Sequence, residues 1–263
     1  MYQRIRKAFQ WRWRAIQARL AFYWVLYASS LPLRLPTQRA VIFAPHQDDE
    51  TLGCGGLIAL KGSQNIPVWI VFLTDGAVSY QYDPHSDPAG LSQIRRREAM
   101  AALSILGVDP LKVYFLDHPD GELLTLCPDR HQFLIEQLIQ ILHQAQPQEI
   151  YLPHFLDGHP DHEATWNLVQ EALIGNHQRV NIWQYPIWLF WQGRYEFSLN
   201  AKKNAQCYRL DIRTVQTQKE QAIAAYPSQH AILPRPYMHQ FTQPYELFFP
   251  VTIPPYPSDK ICE

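Results

Sequence analysis

Five short apolar runs, each ending abruptly in polar residues, limit what this chain can fold into. Residues 39–43, 67–73, 112–116, 149–152 and 180–185 read as buried strands. Between them lie stretches with helical character: Leu57 to Lys61, Ser92 to Leu106, Gln132 to Gln144, and a run ending near Leu173. Gly107 stands where a helix C-cap belongs. Strands alternating with helices at this spacing need crossover connections, and these build a parallel sheet with helices on both faces. The expected fold is α/β, a Rossmann-like, doubly wound, mostly parallel sheet. Its C-terminal part should be loop-rich, because prolines thicken from Pro227 to Pro257. There Lys219 to Tyr226 reads as the close of a helix, and Leu247-Phe248-Phe249 as a strand candidate in an otherwise extended tail.

Two of the polar endings are unusually dense. After the first run comes Ala44-Pro45-His46-Gln47-Asp48-Asp49-Glu50-Thr51-Leu52-Gly53-Cys54-Gly55-Gly56. After the fourth comes Pro153-His154-Phe155-Leu156-Asp157-Gly158-His159-Pro160-Asp161-His162-Glu163. Open α/β sheets place ligands beyond the carboxyl ends of their strands, and both clusters fall there. Three adjacent acids repel one another unless something positive neutralises them. A metal ion resolves that repulsion. His46, Asp49 and His162 offer two imidazoles and a carboxylate, a catalytic-type set that leaves a fourth position for water. Asp48, beside this set, is placed to act as general base. His159, about one helical turn before His162, suits oxyanion stabilisation or protonation of a leaving nitrogen. The glycines let backbone approach a substrate closely. Zinc fits such donors, as do Fe(II) and Co(II).

Other chemistries lack support. Ile58 stands where a dinucleotide fingerprint would need glycine, and neither a P-loop nor a G-x-S-x-G elbow occurs. The four cysteines are far apart with no C-x-x-C pair, which excludes a structural zinc knuckle and fits free thiols in a reducing, cytoplasmic compartment.

Charge divides the 263-residue chain. The first 47 residues carry eight basic side chains and no acid. Taking those eight from 23 leaves 15 basic residues against 24 acidic, a formal −9, and an acidic body argues against a nucleic-acid partner. Within residues 3–27, Ile5, Phe9, Trp13, Ile16, Leu20, Trp24 and Tyr27 share one helical face. A basic amphipathic helix with tryptophans suits peripheral membrane contact through residues 3–33. Docking on the protein's own body and a signal-peptide core are the alternatives. Fourteen uncharged residues, Leu20 to Leu33, fall short of the ~20 that span a bilayer. We therefore divide the chain into an N-terminal segment, residues 1–36, and one catalytic domain, residues 37–263. Seven aromatics between Trp183 and Phe197 suit sugar rings, lipid or a protein contact, or simply a packed subdomain.

The motifs P-H-Q-D-D-E-T-L-G-C-G-G and H-P-D-H resemble the signature of the PIG-L/LmbE-type zinc de-N-acetylases. The resemblance runs from about Ala40 to Phe249 and includes Thr74-Asp75-Gly76, Arg95-x-x-Glu98, Pro119-Asp120-Gly121 and Tyr226-Pro227-Ser228-Gln229. It implies His46, Asp49 and His162 as zinc ligands, Asp48 as base and His159 as electrostatic or acid partner. It adds Arg95 and Asp120 as substrate contacts or site support. The expected reaction is removal of the N-acetyl group from a small-molecule or lipid-linked N-acetylglucosamine conjugate. A zinc amidase acting on another amide, such as a thiol conjugate, and a glycan- or lipid-binding protein without turnover are the competing readings. Gln47 departs from the family's proline, which leaves open what holds that loop rigid.

Overall fold

Five consecutive residues shielded completely from solvent, Ala40–Ala44, form the central strand, β2, of the computed structural model. The structure describes residues 2–78, 88–176, 179–192, 206–230 and 233–251. Asp83, His85 and Asp87, the aromatics Tyr195 and Phe197, Cys262 and the proline-rich tail beyond residue 251 lie outside the described residues.

The other strands are β1 (Leu31–Leu33), β3 (Val68–Thr74), β4 (Val113–His118), β5 (Glu149–Pro153), β6 (Asn181–Tyr185), β7 (Tyr208–Asp211) and β8 (Tyr245–Val251). They form one sheet in the order β1-β7-β8-β6-β5-β2-β3-β4. Every neighbouring pair is parallel except the two that include β8. The helices are α1 (Tyr2–Trp24), α2 (Asp49–Ser63), α3 (Pro88–Leu106), α4 (Pro128–Ala145), α5 (Pro160–Asn176), α6 (Gln216–Ala224) and two short ones, α7 (Pro227–His230) and α8 (Arg235–Met238).

The two-residue period of β2 sorts the core into layers. Ala40, Ile42 and Ala44 face one cluster, with Leu57, Leu103 and Ile223 from α2, α3 and α6. Val41 and Phe43 face the other, with Leu138 of α4 and Val169 of α5. A strand covered on both faces must be apolar throughout, which is why these strands read as continuous runs. Because β3 lies on one side of β2 and β5 on the other, the connections leaving β2 and β5 diverge. The crevice opened between them is the topological switch point.

The structure alters the expected elements in three places. Helix α2 begins at Asp49, not near Leu57, so the acidic motif forms its first turn. Its glycines serve packing and not substrate approach: a Cβ on Gly53 would lie 2.2 Å from Tyr185, and one on Gly56 2.5 Å from Ile212. Close approach of the helix to these side chains overrides the low helix propensity of glycine. Strands β1 and β7 were not evident from periodicity; they are three and four residues long and rely on the sheet edge for their hydrogen bonds.

Helix α1 and the π-helical turn Val25–Ser29 rest on the body through Ala21, Phe22, Val25 and Leu26, which pack with Leu189, Phe190, Leu247 and Phe249. No helix among the described residues is long and apolar enough to cross a membrane.

Candidate active site

The chain leaves β2 at Pro45 and turns through His46, Gln47 and Asp48 into α2. Asp48 makes the turn at φ 134°, a region that side-chain-bearing residues rarely occupy. Strain of this kind persists only where neighbours over-determine it, and it gathers at functional sites. Here the neighbours are explicit. The Asp48 N–H donates to Glu50 at 3.1 Å, the Gln47 carbonyl accepts from Arg95 at 2.8 Å, and the Gln47 side chain donates to the Thr74 carbonyl at 2.7 Å. The glutamine that replaces the family's proline thus ties the loop to the end of β3 from its side chain.

The second cluster enters from the end of β5 and the first turn of α5. His46 and His162 come together although 116 positions separate them, with ring centroids 5.5 Å apart. The Asp49 carboxylate lies between them, 3.2 Å from His46 Nδ1 and 3.3 Å from His162 Nε2. His159 stands 4.8 Å from both other rings, centroid to centroid. Asp120 and Asp161 each place an oxygen 3.1 Å from His46 Nε2. Nitrogens of His46, His159 and His162 lie within 4.8 Å of one another, as do donor atoms of His46, Asp120 and Asp161.

These side chains are buried, and burial sets their electrostatics. It raises the Asp48 carboxyl to about 7; Arg95, 3.5 Å away, opposes the rise, while Asp49 and Glu50 add to it. Burial opposes charge on His162, but Asp49 and Asp157 outweigh it and carry the ring up to about 9. The same contest is won for His46 by Asp120, Asp161 and Asp49, which push it well above its usual range. Burial and the two neighbouring imidazoles lower His159 to about 4. Its Nδ1 accepts from the Asp161 N–H at 3.3 Å, so the neutral ring carries its proton on Nε2.

The donor set fits a divalent cation. His162 Nδ1 is held at 2.7 Å by Asp157, which orients the ring so that Nε2, once it gives up its proton, would offer its lone pair to a metal. That Nε2 is buried and makes no hydrogen bond, with an Asp49 oxygen 3.3 Å away. Three carboxylates surround His46, and imidazole with carboxylate is a donor set for transition-metal dications.

Sequence reasoning missed three members of this assembly. Asp157 is completely buried; besides orienting His162 it accepts from the N–H groups of Ile187, Trp188 and Leu189 at 2.9–3.0 Å. Asp161, the acid inside H-P-D-H, accepts from Gly121 and Leu123 and so docks the loop carrying Asp120. Glu50 accepts from the Thr51 and Tyr226 hydroxyls at 2.5 Å. The density of acids was the visible signal; their separate partners came from distant segments. Arg95 and Glu98, one turn apart on α3, reach different parts of the site. Arg95 turns toward Gly76, Gln47 and Asp48, while Glu98 accepts from the Ser228 N–H and hydroxyl.

A cavity of about 500 Å³ opens above these groups. Its polar floor includes His46, Asp48, Asp49, Arg95, Asp120 and His159; the opposite wall includes Ile187, Trp188, Leu233 and Tyr237. Trp188 stacks on Tyr237 at 4.4 Å. The aromatic stretch is therefore divided. Tyr185 is core and donates to the Phe43 carbonyl, Phe190 meets Phe22 of α1, and Trp188 faces the cavity.

Residues 41–173, half of the chain, match the family described as PIG-L, GlcNAc-PI de-N-acetylase. The chain belongs to the PIG-L family. Over 138 residues it is 29% identical to a probable N-acetyl-alpha-D-glucosaminyl L-malate deacetylase 2 of Bacillus anthracis, covering 52% of this chain and 59% of that protein. It is 26% identical over 169 residues to a 1D-myo-inositol 2-acetamido-2-deoxy-alpha-D-glucopyranoside deacetylase of Kineococcus radiotolerans, covering 54% and 46%. The matches thus reach about half the length of these relatives. Among solved structures, the conserved protein TT1542 of Thermus thermophilus superposes with a TM-score of 0.60 at 25% identity, covering 84% of this chain and 99% of that one. An N,N'-diacetylchitobiose deacetylase of Pyrococcus horikoshii gives 0.60 at 23% identity, covering 83% and 81%. The same architecture is shared with GalB, a 4-carboxy-2-hydroxymuconate hydratase of Pseudomonas putida, at 0.62 and 19% identity, covering 86% and 100%. The fold alone therefore does not set the reaction.

Proposed function

We propose that this chain is a metal-dependent hydrolase that removes the N-acetyl group from an N-acetylglucosamine conjugate. The observation that carries the reading is the buried His162 Nε2, which makes no hydrogen bond and faces the Asp49–His46 pair lining an open cavity. Membership of the PIG-L family and the deacetylases among its relatives support the choice of reaction.

His46, Asp49 and His162 would hold the metal, with zinc the preferred ion. A divalent cation supplies Lewis-acid chemistry there, polarising a carbonyl and making water acidic enough to act as a nucleophile near neutral pH. The side chains do the rest. Asp48, positioned by its strained backbone and by Arg95, accepts the proton of the attacking water. His159 donates through Nε2–H to the carbonyl oxygen as negative charge develops on it, because its Nδ1 is occupied by the Asp161 N–H. That tautomer favours His159 as a donor to substrate over a fourth protein ligand. Arg95 supports the Asp48 turn, and Asp120 holds His46 from the side opposite Asp49. The stacked Trp188–Tyr237 wall suits the apolar face of a sugar ring.

The test is acetate release from a panel of N-acetylglucosamine conjugates by the metal-stripped and zinc-reloaded protein. Zinc-dependent acetate release supports the assignment. Turnover of other amides with no acetate from any N-acetyl sugar would overturn the substrate, and turnover unaffected by stripping would overturn the metal.

A further inference from the structure

Helix α1 has two apolar faces, and the body covers only one. Ala18, Ala21 and Phe22 turn inward and are buried. At about 100° per residue, Trp13, Ile16, Leu20 and Trp24 fall within an arc of about 80° on the opposite side. They are 54%, 51%, 65% and 51% exposed. Tyr27 and Leu31 continue the exposed series past the helix, at 53% and 46%. This outward stripe is the face that the sequence pattern marks as amphipathic, so docking on the body leaves it uncovered.

The surroundings of the stripe select its occupant. Arg14 and Arg19 are exposed and stand to either side of it. The first 47 residues contain eight basic side chains and no acid, against a formal −9 for the remainder. Apolar side chains with tryptophans, flanked on the helix by Arg14 and Arg19, match the boundary between lipid headgroups and acyl chains of an anionic membrane. A second copy of this chain would bring like charges together along the same stripe. No described helix is long and apolar enough to cross a bilayer, so a membrane-bound α1 would lie along the surface.

We infer that α1 is a peripheral membrane anchor whose Trp13–Ile16–Leu20–Trp24 stripe inserts into the interface of an anionic lipid surface while its opposite face holds the body. This rests on no assumption about the reaction. It has a bearing on it, because α1 packs beside the segment that walls the cavity: Tyr23 meets His239 edge-on, and Phe22, Tyr23 and Tyr237 line a common niche. An interfacial anchor at that place would keep the cavity close to membrane-borne molecules.

The experiment is flotation of the full chain with vesicles of phosphatidylcholine alone and of phosphatidylcholine with phosphatidylserine. The wild type is expected to float with the mixed vesicles and to release as salt is raised. Ile16→Ser/Leu20→Ser/Trp24→Ser, at exposed positions and checked for an unchanged circular dichroism spectrum, should lose roughly tenfold or more of that binding. Arg14→Gln/Arg19→Gln, which leaves the stripe intact, should lose roughly tenfold on mixed vesicles alone. Absence of wild-type flotation, or equal flotation of the triple variant, would overturn the inference. So would a wild-type dimer that the triple variant converts to monomer with no difference on vesicles, which would make the occupant a second copy.

Discussion

Two sets of buried charges converge on helix α2, and they are wired in opposite ways. Lys61 and Lys219 belong to closed sets. The Lys61 ammonium donates to Glu149 and to the Pro36 and Gln38 carbonyls at 2.6–2.7 Å. Lys219 donates to Glu246 at 2.7 Å and to the Leu52 carbonyl at 2.8 Å, while Glu246 accepts from the Gly56 and Leu57 N–H groups. Leu52 and Gly56 are the i−4 and i partners of one helical turn, so this ion pair reaches into the helix's own ladder. At the N-terminus of the same helix the charges are open. Three carboxylates crowd His46, Asp48 is held where burial disfavours its charge, and His162 Nε2 has no hydrogen bond. Charges that serve the fold are satisfied by the protein; charges left for a ligand are satisfied only when it arrives.

Removing the proposed base gives the largest expected effect. Asp48→Asn should lower turnover by roughly 10²–10⁴-fold while zinc content and thermal stability stay at or above wild type. Turnover near wild type, or a large fall in melting temperature, would place Asp48 with the structural charges and break the comparison. Lys219→Met tests the closed side: it strands Glu246 against the helix, and breaking a buried pair costs roughly 3–5 kcal/mol. A urea midpoint close to wild type would show that the pair is not holding α2. Metal addition should stabilise the open set specifically. Zinc at a hundredfold excess over its Kd adds about 2.7 kcal/mol to the stability of the stripped protein, and His162→Ala should abolish most of that shift.

A smaller effect concerns His154, buried near Phe249 and lowered to about 4 by burial. The unfolded chain protonates this ring as pH falls through about 6.5, whereas the folded chain does not until about 4. Its stabilising contribution is therefore complete above pH 6.5 and is lost progressively down to 4. In His154→Phe the urea midpoint should fall less steeply across that window; an unchanged slope would remove His154 from the acid response. Gln47→Ala should have the least effect, about 1 kcal/mol for the lost bond to Thr74, with a lower turnover that Gln47→Pro restores in part. Loss of turnover in both variants would show that the loop needs the amide itself.

The legible part of this protein was local. Apolar runs separated by helical stretches announced a parallel sheet, since a strand covered on both faces has no room for polar residues. The two histidine–aspartate motifs announced themselves because so many ionisable groups at strand ends have no role in packing. What stayed hidden depends on partners far along the chain. Glycines that read as openings for substrate prove to be openings for Tyr185 and Ile212, and β7 depends on pairing with β8. Asp157 gave no local sign that it would orient the ring of His162 and gather three backbone N–H groups thirty residues away.

By itself, then, the sequence determined which side chains crowd into the two polar clusters and that strands would deliver them to one edge, because both follow from short-range patterns of polarity. Only the tertiary structure decided which charges are closed and which remain open, and which apolar face of α1 is spent on the body. Those outcomes depend on what each group meets in space, and a residue's neighbours in sequence do not specify that.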